Sequence, residues 1–294
     1  MTDNDTYVIR AGETAHGNFE TDVDAERAGW EWSSIRILAL DAAGSQEVDT
    51  GEEELLVLPL SGSCTVAVGD DSYELAGRPE IWTAITDYLY LPRGVRATIT
   101  SEAGGRFALP GSKSTKDLPV RYCPVSEVVT SLRGAGNCSR QVNNYSIGNE
   151  LETSHLLAVE VLTPAGNWSS YPPHKHDEHT DEERILEEIY YYEVRPSIEG
   201  TKGMAYQRIY PSEKAIDVCA EVASKDVVVM PHGWHGPAMA APGYDLYYLN
   251  VMAGPAEGAE WMVTHDPEHA WLTKTWEGQD VDPRLPLTPM NTQE

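Results

Sequence analysis

The run Tyr171-Pro172-Pro173-His174-Lys175-His176-Asp177 decides how the rest of this chain is read. In an extended strand successive side chains alternate between faces, so His174 and His176 share one face and Lys175 takes the other. Two imidazoles side by side can hold one metal ion. The chain then supplies an acid, Glu188, at the head of the β-rich run Glu188-Ile189-Tyr190-Tyr191-Tyr192-Glu193-Val194, and a third histidine, His235, just after the turn Pro231-His232-Gly233. His174, His176, Glu188 and His235 are the expected metal ligands, and the alternation places Tyr190 and Tyr192 on the same face as Glu188. Neutral imidazole and carboxylate suit zinc, iron or manganese. Glu182, Glu183 and Glu187 crowd the approach to Glu188 but Glu187 would face the opposite side, and His179 and His232 read as surface or supporting residues rather than ligands.

Outward from this stretch the sequence reads as strands. Residues 156–162, 203–210, 226–230 and 244–251 are short, apolar or β-branched, and bounded by turn residues, as are 35–40, 54–60, 64–68 and 97–100 in the first half. Residues 66–75 read as a hairpin about Gly69-Asp70. Evenly spaced short strands with turn punctuation predict an all-β protein of sandwich or barrel type. Helix signals are sparse: Ser126 to Arg133 and Asp266 to Trp271 are the two candidates. The stretch from Lys113 to Gly148 lacks clear periodicity, and the junction between two barrels is expected within it, giving residues 1–130 and 131–294. The halves echo each other, with Leu91-Pro92-Arg93-Gly94-Val95-Arg96 matching Met230-Pro231-His232-Gly233-Trp234-His235. The first copy has Arg96 where the second has His235 and no His-x-His, so the metal chemistry is expected in the second barrel alone.

Bulk properties exclude several functions. With 21 Lys+Arg against 47 Asp+Glu, the formal charge over 294 residues is 21 − 47 = −26, which repels nucleic acid and anionic membranes. No apolar run approaches the ~18 residues of a membrane helix. The acidic start Met1-Thr2-Asp3-Asn4-Asp5 does not read as a signal peptide. Cys64, Cys123, Cys138 and Cys219 form no C-x-x-C pair, which points to a reducing, cytoplasmic setting. An anionic substrate would need local positive groups set against the global charge.

Three runs carry a family resemblance: Pro172-Pro173-His174-Lys175-His176-Asp177, Leu186-Glu187-Glu188-Ile189-Tyr190-Tyr191-Tyr192, and Pro242 through Gly254. The chain resembles the cupin superfamily and, more narrowly, the 5-deoxy-glucuronate isomerase family of myo-inositol degradation. The related ketol-isomerase of a deoxy-hexosulose-uronate shares the His-x-His and Glu-aliphatic-Tyr pattern. Two departures from the general cupin pattern stand out. Eleven residues separate His176 from Glu188, and the turn is Pro-x-Gly-x-His, one residue short.

The resemblance implies a bicupin of two tandem jelly-roll-like barrels with few short helices. It implies an aldose–ketose isomerase converting 5-deoxy-D-glucuronate to 5-dehydro-2-deoxy-D-gluconate, with one divalent metal, zinc by analogy, and a small anionic sugar acid as its partner. A homo-oligomer is compatible with the fold. Tyr190, Tyr192 and Tyr248 are then the catalytic candidates, with Gln207 as an orienting group and His232 a further base to consider. The substrate carboxylate calls for a cation; Arg140 and Arg208 are favoured over Arg184, Lys175 and Lys202, because a guanidinium binds a carboxylate through two hydrogen bonds. An iron-dependent cupin oxygenase would use the same ligands and is the competing enzyme reading; a sugar-binding regulator is the non-enzymatic one.

Overall fold

The computed structural model describes residues 2–291, so the last three residues of the expected second barrel lie outside it. The chain folds into three sheets of nine, seven and six strands. Period-two alternation in the central strands accounts for how they stack. In strand Glu187–Val194, Tyr190, Tyr192 and Val194 join a core with Ile209, Val218 and Ala238 from the six-stranded sheet. Ile189 and Tyr191, one residue out of phase, face the other way and pack with Ile35, Ile37, Leu56, Leu58 and Tyr90 of the first half. Strand Leu246–Ala253 divides in the same manner, Tyr248 to one core and Tyr247, Leu249 and Val251 to the other. The seven-stranded sheet is therefore covered on both faces at its centre, which is why strands such as Leu157–Thr163, Val227–Met230 and Leu246–Ala253 read as largely apolar runs. Each fully buried aliphatic side chain contributes about 1.5–3 kcal/mol of transfer free energy to this stack.

The nine-stranded sheet folds over to make the two layers of the first sandwich. Its long strand Glu53–Val68 absorbs both the 54–60 and 64–68 predictions and passes from one layer to the other across register shifts at Pro59/Ser61 and Gly62/Cys64. The hairpin about Gly69-Asp70 is present, with Val68 paired to Asp71. A third core, including Leu38, Leu55, Val57, Leu89, Leu91, Ile99 and Leu109, fills this sandwich with apolar side chains.

Three expectations are corrected. Ser126 to Arg133 is not a helix: a short 3-10 turn, Val125–Glu127, gives way to strand Val129–Arg133. The run Val128-Val129-Thr130 is β-branched and prefers a pleated surface, and strand Arg140–Asn144 is available to pair with it. The C-terminal helix signal is displaced: Asp266 caps a turn through the backbone N–H of Glu268, and a 3-10 helix follows at Ala270–Trp276. A clean division at residue 130 is cut across twice, because Val129–Arg133 straddles it and Val8–Ile9 crosses over to pair with Val227 and Val228 of the seven-stranded sheet.

Candidate metal centre and its pocket

His174, Glu188 and His235 come from three different strands and His176 from the residue just past the His174 strand, yet one ligand atom from each of the four lies within 4.8 Å of the others. His174 pairs directly with His235 on one side and His265 on the other, so three histidines stand abreast on neighbouring strands. His235 is delivered by the turn at Gly233, whose φ of +90° favours glycine and where a Cβ would sit 2.8 Å from the Tyr210 carbonyl.

The hydrogen bonds fix which ring nitrogens face the centre. His176 Nδ1 lies 2.8 Å from the Leu186 carbonyl and His235 Nδ1 lies 3.2 Å from the Gly233 carbonyl. A carbonyl only accepts, so each Nδ1 carries the proton and each Nε2 presents a lone pair. These Nε2 atoms lie 2.9 and 2.7 Å from Glu188 Oε2, and the Nε2 atoms of His235 and His174 are 3.2 Å apart. Lone pairs this close to a carboxylate and to one another repel unless a cation sits among them. The donor set and tautomers therefore fit a divalent metal ion. Asn250 donates to Glu188 Oε1 at 2.6 Å and leaves Oε2 turned toward the imidazoles.

With a second proton on each ring, the same contacts become ion pairs: burial would raise the Glu188 carboxyl, but charged His235 and His176 outweigh it and hold it well below its ordinary range. Burial pushes His174 well down, reinforced by His235, whereas Glu188 raises His176 against the burial effect.

Lys175 points away, as alternation requires. Its ammonium is bound to Asp177 at 2.8 Å and to Glu183 at 3.0 Å. Asp177 in turn accepts from Gly233 N–H and from the Ser212 hydroxyl. This network ties the acidic loop after His176 to the turn before His235, and explains how an eleven-residue gap before Glu188 is accommodated. His179 is exposed and His232 lies outside the cluster.

Beside the cluster is a pocket lined by His174, Tyr190, Tyr248, Asn250 and His265 together with Arg133 and Arg140, with Val142, Val159 and Val161 supplying apolar surface. Tyr190 and Tyr248 stack with ring centroids 4.4 Å apart, their hydroxyls directed to Ser170 and Ser169. Tyr192 and Gln207 do not line it; the Tyr192 hydroxyl donates to Gln207 Oε1 at 2.8 Å within the sandwich core. Arg208 is a correction. On strand Ala205–Tyr210 it alternates outward while Gln207 turns inward, and its guanidinium binds Asp217 on the surface. Arg140 does reach the pocket.

Arg133, His265 and Asn250 were missed as site residues. The signal for Asn250 was a polar residue at an inward position of the strand Tyr247-Tyr248-Leu249-Asn250-Val251. For Arg133 it was the segment Arg133-Gly134-Ala135-Gly136-Asn137-Cys138-Ser139-Arg140, two like charges flanking a glycine-rich turn. Nothing local marks His265; only the pairing with His174 brings it in.

Two stacked sandwiches, with a His₃Glu cluster inside the second, define a bicupin. Comparison with known proteins narrows this. The KduI/IolB family model matches residues 7–272, and the chain belongs to that family. It is 36% identical to the 5-deoxy-glucuronate isomerase of Geobacillus thermodenitrificans over 256 residues, covering 86% of this chain and 90% of the relative. It is 34% identical to the Bacillus subtilis protein of the same name, covering 85% and 91%. Among solved structures, an IolB-like protein from Salmonella typhimurium superposes with a TM-score of 0.83 at 33% identity, covering 90% of this chain and 98% of that one. A mutant oxalate decarboxylase of Bacillus subtilis, at 13% identity and a TM-score of 0.61, shares the fold over 98% of this chain and 87% of its own.

Proposed function

We propose that this protein is a 5-deoxy-glucuronate isomerase, converting 5-deoxy-D-glucuronate to 5-dehydro-2-deoxy-D-gluconate in inositol breakdown. The observation that carries the reading is the convergence of three imidazole nitrogens on the Glu188 carboxylate beside a pocket that also holds proton-carrying side chains. The curated relatives named above are isomerases of this substrate. His174, His176, Glu188 and His235 hold the metal, with zinc preferred and manganese or iron accommodated by the same donors. When bound, the ion supplies Lewis-acid stabilisation of negative charge developing on neighbouring substrate oxygens.

The remaining work falls to the chain's own groups. Isomerisation moves a hydrogen from C2 to C1 and a hydroxyl proton from O2 to O1; C2 is oxidised as C1 is reduced, so no outside oxidant enters. An imidazole is the ordinary proton carrier near neutral pH, and His265 is the pocket-lining imidazole outside the ligand set. We assign it the C2-to-C1 transfer. The tyrosines suit the oxygen end. Burial pushes the Tyr248 phenol up to about 12, against the Ser169 hydrogen bond and the nearby Arg140 charge, so it stays protonated and donates. Tyr190, stacked against it, sits beside the same oxygens in this scheme, and Tyr192 supports both from below through Gln207. Apolar Val142, Val159 and Val161 keep water from the reacting carbons.

Four free cysteines suit a reducing compartment, and the proposed setting is the cytoplasm. Among the described residues no helix is long and apolar enough to cross a membrane.

The test is turnover of 5-deoxy-glucuronate followed by NMR in deuterated water. Loss of the aldehyde signal is expected, with deuterium appearing at the product's hydroxymethyl carbon, C6, which derives from substrate C1. Turnover without deuterium would replace proton transfer by a hydride shift. No turnover, with or without added zinc, manganese or iron, would overturn the isomerase reading.

A further inference from the structure

Arg133 and Arg140 stand directly opposite each other on the antiparallel strands Val129–Arg133 and Arg140–Asn144. Like charges across a strand pair destabilise the sheet, and a protein of net charge −26 has acids to spare for neutralising them. Yet among the described residues no carboxylate lies within ion-pairing distance of either guanidinium, although most other arginines of the chain are paired. Both side chains are half-buried and both line the pocket that contains His174.

The turn between them is shaped for this arrangement. Gly134 has φ +78°, and a Cβ there would lie 2.1 Å from the Cys138 carbonyl and 2.8 Å from Arg140 Nη1. Only glycine leaves room for the Arg140 guanidinium, which is anchored by donating to Cys138 O at 3.1 Å. Arg133 lies against the Trp261 ring, 5.3 Å from its centroid, and Trp261 lines the same pocket. Burial lowers both guanidiniums from their ordinary value, and the Arg140 charge lowers Arg133 further. Further along the wall, Asn144 Oδ1 and Asn250 Oδ1 are buried acceptors without a hydrogen-bond partner.

We propose that Arg133 and Arg140 form a two-guanidinium clamp for the carboxylate of a polyhydroxy acid, with Asn144 and Asn250 accepting its hydroxyls. The clamp fixes specificity for an acid over a neutral sugar and sets which end of the substrate approaches the imidazoles. It rests on the isomerase reading only for that orientation: carboxylate at the arginines, aldehyde at the metal end.

The experiment compares 5-deoxy-glucuronate with its neutral counterpart, 5-deoxy-glucose, in which the carboxylate is a primary alcohol. Arg133→Gln and Arg140→Gln should each lower kcat/KM for the acid by about 30-fold, the scale of one charge-assisted hydrogen-bonded contact, mostly through KM. The loss on the neutral sugar should be much smaller, so that the preference for the acid over the neutral sugar collapses. An equal loss on both substrates, or no loss on the acid, overturns the clamp. Should the unaltered protein turn over neither sugar, the isomerase reading fails by itself, and the clamp is then judged by calorimetric binding of D-glucarate. Binding to the unaltered protein that weakens at least tenfold in both variants supports it; absent or unchanged binding overturns it.

Discussion

The first sandwich directs Leu38, Leu55, Val57, Leu89, Leu91, Ile99 and Leu109 into its interior, whereas the second directs His176, Glu188, His235, Asn250 and three tyrosines into part of the corresponding space. Both are built from the same strand-and-turn plan. What differs is whether every inward position is used for packing. An apolar interior gains transfer free energy at every residue, whereas a buried carboxylate and imidazoles cost several kcal/mol unless each finds a partner. The second half meets that demand locally, through Asn250, the Leu186 and Gly233 carbonyls and the Lys175 network.

It also meets it through its neighbour. Arg78 from the first half forms a fully buried two-point pair with Glu160 on the seven-stranded sheet, and Tyr145, Tyr247 and Asn143 donate to the same carboxylate. Glu54 of the first half accepts from the backbone N–H groups of Ser154, His155 and Leu156. Glu187 of the second half reciprocates with those of Glu31, Trp32 and Ser33. The sandwich without a candidate site thus fixes the back of the sheet whose front carries Glu188 and Asn250.

The echo between the halves also breaks at one instructive position. Arg96 aligns with His235 in sequence, but its side chain is 74% exposed and pairs with Asp49, against 2% for His235. After the turn the two strands enter their sheets one residue out of phase, and a single-residue shift exchanges the faces.

Three substitutions test this division of labour. Glu188→Gln removes the central negative charge of the second interior. Bound metal should fall from about one per chain to near zero, and activity should drop by at least about 10²–10³-fold, the scale of losing a principal stabiliser of transition-state charge; elemental analysis alongside kinetics reads both, and a variant retaining full metal would remove Glu188 from the ligand set. Arg78→Met leaves Glu160 buried without its cation and should cost about 3–5 kcal/mol in urea unfolding. Adding Glu160→Gln should recover much of that loss. A single variant as stable as the parent would mean that this buried pair adds nothing to the joint between the two sandwiches. Arg208→Ala, which removes an exposed ion pair, should change stability by no more than about 1 kcal/mol and leave kcat/KM for the acid unaltered; a large KM increase would return Arg208 to the substrate site.

Much of the second interior was legible in the sequence because strand alternation is a local rule. It placed His174 and His176 together, turned Lys175 away, and put Glu188, Tyr190 and Tyr192 on one face, with Glu187 on the other. The same rule, applied to Tyr206-Gln207-Arg208, would have directed Arg208 outward once Gln207 was placed inside. Strands Val129–Arg133 and Arg140–Asn144 escaped notice because they carry few apolar residues; Arg140–Asn144 is placed by pairing with Leu157–Thr163, and Val129–Arg133 by pairing with Arg140–Asn144 in turn.

The order of residues along the chain determined which side chains can share a face, and with that the all-β architecture, the ligand types and the strands bearing them. Tertiary structure alone decided which faces meet. It set His265 beside His174, brought Arg133 against Arg140 in the same pocket as the imidazoles, and placed Arg78 on Glu160. Side-chain direction follows from covalent geometry within a few residues, whereas strand partners far apart in the chain are chosen by the packing of the whole sheet stack.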